Sequence, residues 1–131
     1  MWECPECHRS FRNANQSHSC FSISVEEFLL KSSQLAVNLY HQLENRLKEE
    51  GLSYRQEAVK NAIYFVHKER SLAVKFYKKS LEIDIRSSYE IKEFPVVKSI
   101  QYAKNRWWNI LRIYEKEELT NSLISWIKDA Y

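Results

Sequence analysis

Leu81-Glu82-Ile83-Asp84-Ile85-Arg86 alternates apolar and charged side chains without a fault, and that period of two decides the fold class. Three aliphatic residues on one face and three charges on the other describe a strand with one side on a core. Just upstream, Leu72-Ala73-Val74-Lys75-Phe76-Tyr77 repeats the alternation, with Leu72, Val74 and Phe76 set against Lys75 and Tyr77. Further upstream, Ala62-Ile63-Tyr64-Phe65-Val66 is β-branched and aromatic with no helical stripe, which predicts a strand buried on both faces. The links Lys68-Glu69-Arg70-Ser71 and Lys78-Lys79-Ser80 are short enough for hairpins, so the three strands form an antiparallel meander. Ile83, at the centre of the cleanest run, is the core position to test.

Downstream, residues 87 to 105 carry Pro95 and mixed polarity, and a loop with a helical turn near Val96 to Ile100 is expected. Order returns in Trp107-Trp108-Asn109-Ile110-Leu111-Arg112-Ile113-Tyr114, a fourth strand on which Leu111 and Ile113 share a face. Trp107 and Trp108, being adjacent, point to opposite sides. The chain closes with a helix from about Thr120 to Ala130, capped by Thr120, with Leu123, Ile124 and Ile127 as its apolar stripe and Trp126 at the edge.

Before the strands the period is helical. Ser24-Val25-Glu26-Glu27 places a serine three residues before a glutamate, the capping box of a helix start. Leu29, Ala36, Leu39, Leu43 and Leu47 then fall on one face, and Gly51 stands where a C-terminal cap is needed. Lys31-Ser32-Ser33 interrupts the run and predicts two helices, the second capped by Ser33. The expected fold class is α+β: an antiparallel sheet of about four strands with N-terminal helices and a C-terminal helix, over residues 24–131.

Residues 1–22 read as a separate zinc-binding knuckle. All three cysteines of the chain and two of its four histidines lie there. Cys4-x2-Cys7 offers two sulfurs across a tight turn that Pro5 stiffens, and His18-x-Cys20 returns with two more ligands. Four protein ligands close the tetrahedron, so one Zn2+ per chain with a structural role is expected. Phe11 supplies the aromatic cover that so small a module needs, and Arg9 and Arg12 offset three thiolates. His8 is a rival ligand that, adjacent to Cys7, points awkwardly for the same ion. An odd cysteine count and the lack of an apolar leader argue against a disulfide and for a cytoplasmic protein.

The composition narrows function more by exclusion. Apolar residues make up 44% and aromatics 14% of the 131 residues, enough for a core, while no apolar run reaches the ~20 residues that cross a bilayer. A single glycine rules out a glycine-rich phosphate loop, and no serine sits in a glycine-flanked elbow. Glu82 and Asp84 face one way beside Arg86 and read as a solvated face. No catalytic residue is assigned, and an enzyme is disfavoured. The net charge of +3 is mild. Lys75 and Lys78 from one hairpin, with Arg106, Trp107 and Arg112 from the last strand, combine cations with stacking rings and point to nucleic acid as a partner. The alternative is a small-molecule binder or enzyme with a pocket between sheet and helices, using His67, Asn109 or Arg112.

Trp2, Cys4-Pro5-x-Cys7, Arg9-x-Phe11 and Asn15-Gln16-x-His18-x-Cys20 resemble the metal-knuckle form of a bacterial family catalogued as domain of unknown function 5655. The sequence departs from it in His8, where glycine is usual. The far end is similar too: a tryptophan-bearing strand, Leu119, then Leu123-x-x-Trp126-Ile127-x-x-Ala130-Tyr131, with Thr120 where an aspartate is common. The resemblance implies an α+β domain with no assigned reaction, whose relatives are labelled predicted transport proteins or are joined to nuclease-like domains. A transport role fits poorly with a chain that has no membrane-crossing run.

Overall fold

The computed structural model describes residues 1–17 and 23–131. The first helices form where the caps place them. Ser24 Oγ accepts from the Glu27 amide and starts α1 (Val25–Leu30); Ser33 Oγ accepts from the Ala36 amide and starts α2 (Gln34–Glu49). The break at Lys31-Ser32-Ser33 is therefore real. At the far end of α2 the Leu52 amide donates to Leu47 O and the Gly51 amide to Lys48 O, both at 3.0 Å. That pairing closes the helix only with a left-handed residue, and Gly51 supplies it at φ 76°. Ala36, Leu39, Tyr40, Leu43 and Leu47 form the buried stripe.

Among the described residues the main sheet has six antiparallel strands rather than four, in the order β3 (Arg55–Ala58), β4 (Ile63–His67), β5 (Glu69–Phe76), β6 (Leu81–Ser87), β8 (Arg106–Ile113), β7 (Val96–Ala103). The meander is as expected in β4 (Ile63–His67), β5 (Glu69–Phe76) and β6 (Leu81–Ser87), and β8 spans Arg106–Ile113. Two strands escaped the sequence reading. β3 (Arg55–Ala58) is only four residues long, and β7 (Val96–Ala103) stands where a loop with a helical turn was expected. β7 is an edge strand whose side chains are exposed or half-buried throughout, so it lacks the alternation that marks a strand on a core. The β4–β5 link is also tighter than expected: strand pairing runs through Glu69 and Arg70, and Lys68 alone turns the chain at φ 64°.

The helices lie on one face of this sheet. Leu72, Val74, Leu81, Ile83, Ile85, Leu111 and Ile113 meet α2 and α3 (Asn121–Ala130), and Ile83 is fully buried. Each such aliphatic side chain contributes roughly 1.5–3 kcal/mol of burial. α3 starts at the Thr120 cap, and Arg46 of α2 donates to Leu119 O at 2.6 Å and to Asn121 Oδ1 at 2.8 Å, tying the two helices together. Among the described residues no helix is long and apolar enough to cross a membrane.

Candidate functional site: a lysine-rimmed cleft beside a buried carboxylate pair

The N-terminal segment forms a hairpin of β1 (Trp2–Glu3) and β2 (Ser10–Phe11). Its turn is held by Cys4 N–H donating to Arg9 O (2.9 Å) and His8 N–H donating to Cys4 O (2.8 Å). Cys4 and Cys7 are buried against Phe11, with Trp2 packed alongside, while His8 is exposed. His8 adopts φ 59°, the left-handed region that glycine occupies without strain. His18 and Cys20 lie outside the described residues. Among the described residues no group of three metal-ligating side chains gathers; Cys4 and Cys7 are two buried thiols packed with Phe11. The hairpin docks on β3: the Ser10 amide donates to Glu57 Oε2 at 3.1 Å, Arg55 bridges Ser10 Oγ and Glu57, and the Arg70 guanidinium lies over the Phe11 ring.

On the sheet face opposite the helices, antiparallel register sets Lys75 of β5, Glu82 of β6 and Arg112 of β8 in one row. A carboxylate between two cations is the favourable cross-strand arrangement. Lys75 Nζ stands 3.6 Å from Glu82 Oε2 and 3.7 Å from Asp84 Oδ2, and Arg112 donates to Glu82 Oε1 at 3.2 Å. Glu82 and Asp84 are only 6% and 8% exposed, although they lie on the face opposite the described helices. The reading of this pair as a solvated face is therefore overturned: the long side chains of Lys75 and Arg112 lie against the carboxylates and limit their contact with water. Burial, with Glu82 beside it, pushes the Asp84 carboxyl up to about 7. Burial works against the charge on Lys75, but Asp84 and Glu82 outweigh it and raise the ammonium pKa. The Glu82 hydrogen bond likewise raises Arg112. Lys75 and Arg112 are thus each paired with a carboxylate of β6.

At the end of the sheet where this row lies, three turns converge on a cleft of about 810 Å³. The α1–α2 junction brings Lys31, Ser32 and Ser33; the β3–β4 tip brings Lys60 and Asn61; the β5–β6 turn brings Tyr77 and Lys78. Local hydrogen bonds fix each wall: Val59 N–H to Ala62 O (2.8 Å) closes one hairpin and Tyr77 N–H to Ser80 O (3.0 Å) the other. Ser33 Oγ also donates to Tyr77 O at 2.9 Å, joining helix junction to turn. Ile23, Phe28 and Phe76 form an apolar floor, with Phe28 and Phe76 edge to face at 5.2 Å. Among the described residues Lys31, Lys60 and Lys78 have no ion-pair partner, whereas Lys75, which also lines the cleft, is paired. Arg112 lies 4.7 Å from the centre of the Tyr77 ring and steadies it.

The residues singled out in the sequence divide between two ends of β8. Lys75 and Lys78 line the cleft with Arg112 against the Tyr77 ring, while Arg106 and Trp107 sit at the other end, opposite Ala103, Gln101 and Ser87. The groups suggested for a small-molecule pocket have structural partners instead. Asn109 is fully buried and satisfied, accepting from Ile91 N–H (3.0 Å) and Ser99 Oγ (2.8 Å) and donating to Ile85 O (3.1 Å) and Ser87 Oγ (2.7 Å). It pins the segment after β6 to the sheet. His67 stacks on Tyr131 at 3.8 Å and holds the chain end. Lys31, Lys60 and Asn61 escaped the sequence reading, because nothing local in a helix junction and a hairpin tip says they will meet.

No match was found among curated proteins or among solved structures. A family model does match residues 25–131, more than half of the chain, and the chain therefore belongs to the family described as Domain of unknown function (DUF5655).

Proposed function

We propose that the protein is a zinc-stabilised binding module that contacts nucleic acid through the lysine-rimmed cleft. The observation that carries this reading is the convergence of Lys31, Lys60 and Lys78 from three separate elements, with no ion-pair partners among the described residues, around an aromatic floor. Unneutralised cations held together repel one another, and an incoming phosphate relieves that repulsion while releasing its own counterions. Binding titrations with single- and double-stranded DNA and RNA at two salt concentrations test it: affinity appears at low salt and falls as salt rises. Affinity absent at low salt, or indifferent to salt, removes the reading.

Residues 1–22 are the knuckle in this proposal, with Cys4, Cys7, His18 and Cys20 holding one structural zinc ion. Two buried thiols on a hydrogen-bonded turn beneath Phe11 support it, as does the chemistry of the donor set. The knuckle-bearing family form that the sequence resembles is bacterial, and a reducing cytoplasm is the compartment in which such cysteines take metal rather than pair. Metal analysis of protein purified without chelator should give one zinc per chain, with the thiols protected from titration until the metal is stripped. Freely titratable thiols in protein without metal would sink it.

A small-molecule binder or enzyme is the second reading. One observation favours it: the cleft lies at the junction of sheet and helices and its volume falls within the roughly 300–1,000 Å³ of ordinary ligand pockets. A thermal-shift screen against phosphorylated metabolites separates the two.

A further inference from the structure

Resting on the nucleic-acid reading, we propose that the cleft takes one nucleotide of a single-stranded chain, with its base stacked on Tyr77 beside the apolar floor and its phosphate among Lys31, Lys60 and Lys78. Two properties of the cleft carry this. The first is its mixed chemistry. A site for a bare anion has no use for an apolar floor, and here Ile23, Phe28 and Phe76 lie beneath three lysines, with Ser32, Ser33 and Asn61 as hydrogen-bonding groups between. A nucleotide has the same division into an apolar base and a charged phosphate.

The second is the posture of Tyr77. Tyr77 is 42% exposed and lines the cleft, yet it is not a loose side chain. The guanidinium of Arg112 sits 4.7 Å from the ring centre, held in turn by Glu82 at 3.2 Å, and the Tyr77 carbonyl is anchored by Ser33. An exposed ring fixed in orientation loses little conformational freedom when a base stacks on it. Stacking requires a base with a free face, which a duplex denies because its bases already stack on one another. The lysines also ring a pocket, whereas duplex phosphates would be met by a stripe. Charge inside the protein points the same way: Lys75 is neutralised by Glu82 and Asp84, so the attraction centres on Lys31, Lys60 and Lys78 at the mouth.

The test uses the full chain and fluorescence anisotropy with a labelled eight-nucleotide homopyrimidine strand, a blunt duplex of the same length, and inorganic phosphate as competitor. The strand should bind at least tenfold more tightly than the duplex, and phosphate should compete only at far higher concentration. Tyr77→Ala should weaken strand binding by about fivefold to a hundredfold with little change in salt slope, and Tyr77→Phe should restore it. Lys60→Ala, at an exposed hairpin tip that folds without it, should lower the salt slope by about 0.7. Duplex bound as well as the strand, or Tyr77→Ala without effect, overturns the single-nucleotide inference and leaves the nucleic-acid reading standing. Neither nucleic acid bound at low salt overturns both.

Discussion

The two faces of the sheet bury their central residues by different means. On the helix side, Leu81, Ile83 and Ile85 of β6 are fully buried beneath α2 and α3, and apolar area alone accounts for their position. On the other side, away from the described helices, Glu82 and Asp84 of the same strand are almost as deeply buried. Their cover is made of side chains: Lys75 and Arg112 bend over the carboxylates, and Arg112 lies against Tyr77. The lesson is that a sheet face open to solvent can still be dry at its centre when long cations lay their methylene stems across it. One face is held by area, and the other by geometry and charge.

That difference can be broken most forcefully at Ile83. Ile83→Asp places an unpaired charge in the fully buried layer and should cost several kcal/mol, about 4, in chemical denaturation. A loss under about 0.5 kcal/mol would mean that the two faces are not distinct. Glu82→Gln, one residue away, should cost less, about 1–2 kcal/mol. It removes the charge between Lys75 and Arg112, but both cations are more than a third exposed and can turn to water. If its cost equals that of Ile83→Asp, the open face is as intolerant as the core and the comparison fails.

Asp84 sharpens the contrast through pH. Its carboxyl is raised in the fold from the ordinary 3.8 to about 7, first by burial and then by Glu82, so the folded state holds this proton more tightly than the unfolded chain. The resulting stability is present in full below about pH 4 and is lost as pH rises through about 7. Denaturation midpoints measured from pH 4 to pH 8 should show the wild type losing ground against Asp84→Asn, which carries no such slope. Parallel curves would remove the raised value. The smallest effect is expected at Lys60, exposed on the β3–β4 tip: Lys60→Ala should change stability by no more than about 0.5 kcal/mol, and a larger loss in a melting curve would mean that Lys60 supports the fold rather than a ligand.

Much of the fold was legible because its signals are local. Ser24, Ser33, Thr120 and Gly51 each satisfy orphan backbone groups within a few residues, so the caps and the break between α1 and α2 could be read directly. The meander was legible for the same reason, since burial on one face writes a period of two into Leu81–Arg86. β7 was not, because an exposed edge strand has no buried face to leave a pattern, and pairing with β8 rather than composition makes it a strand.

The sequence by itself determined the α+β class, the helix ends and the core stripe, all of which follow from backbone satisfaction and periodicity. Only the tertiary structure decided that Lys75, Glu82 and Arg112 share a row, that Arg106 and Trp107 belong to the opposite end, and that Lys31, Lys60 and Lys78 rim one cleft. Those facts depend on which strands are neighbours and which turns share an end of the sheet. Strand order is set by the summed packing of the whole domain, and no short window of residues carries it.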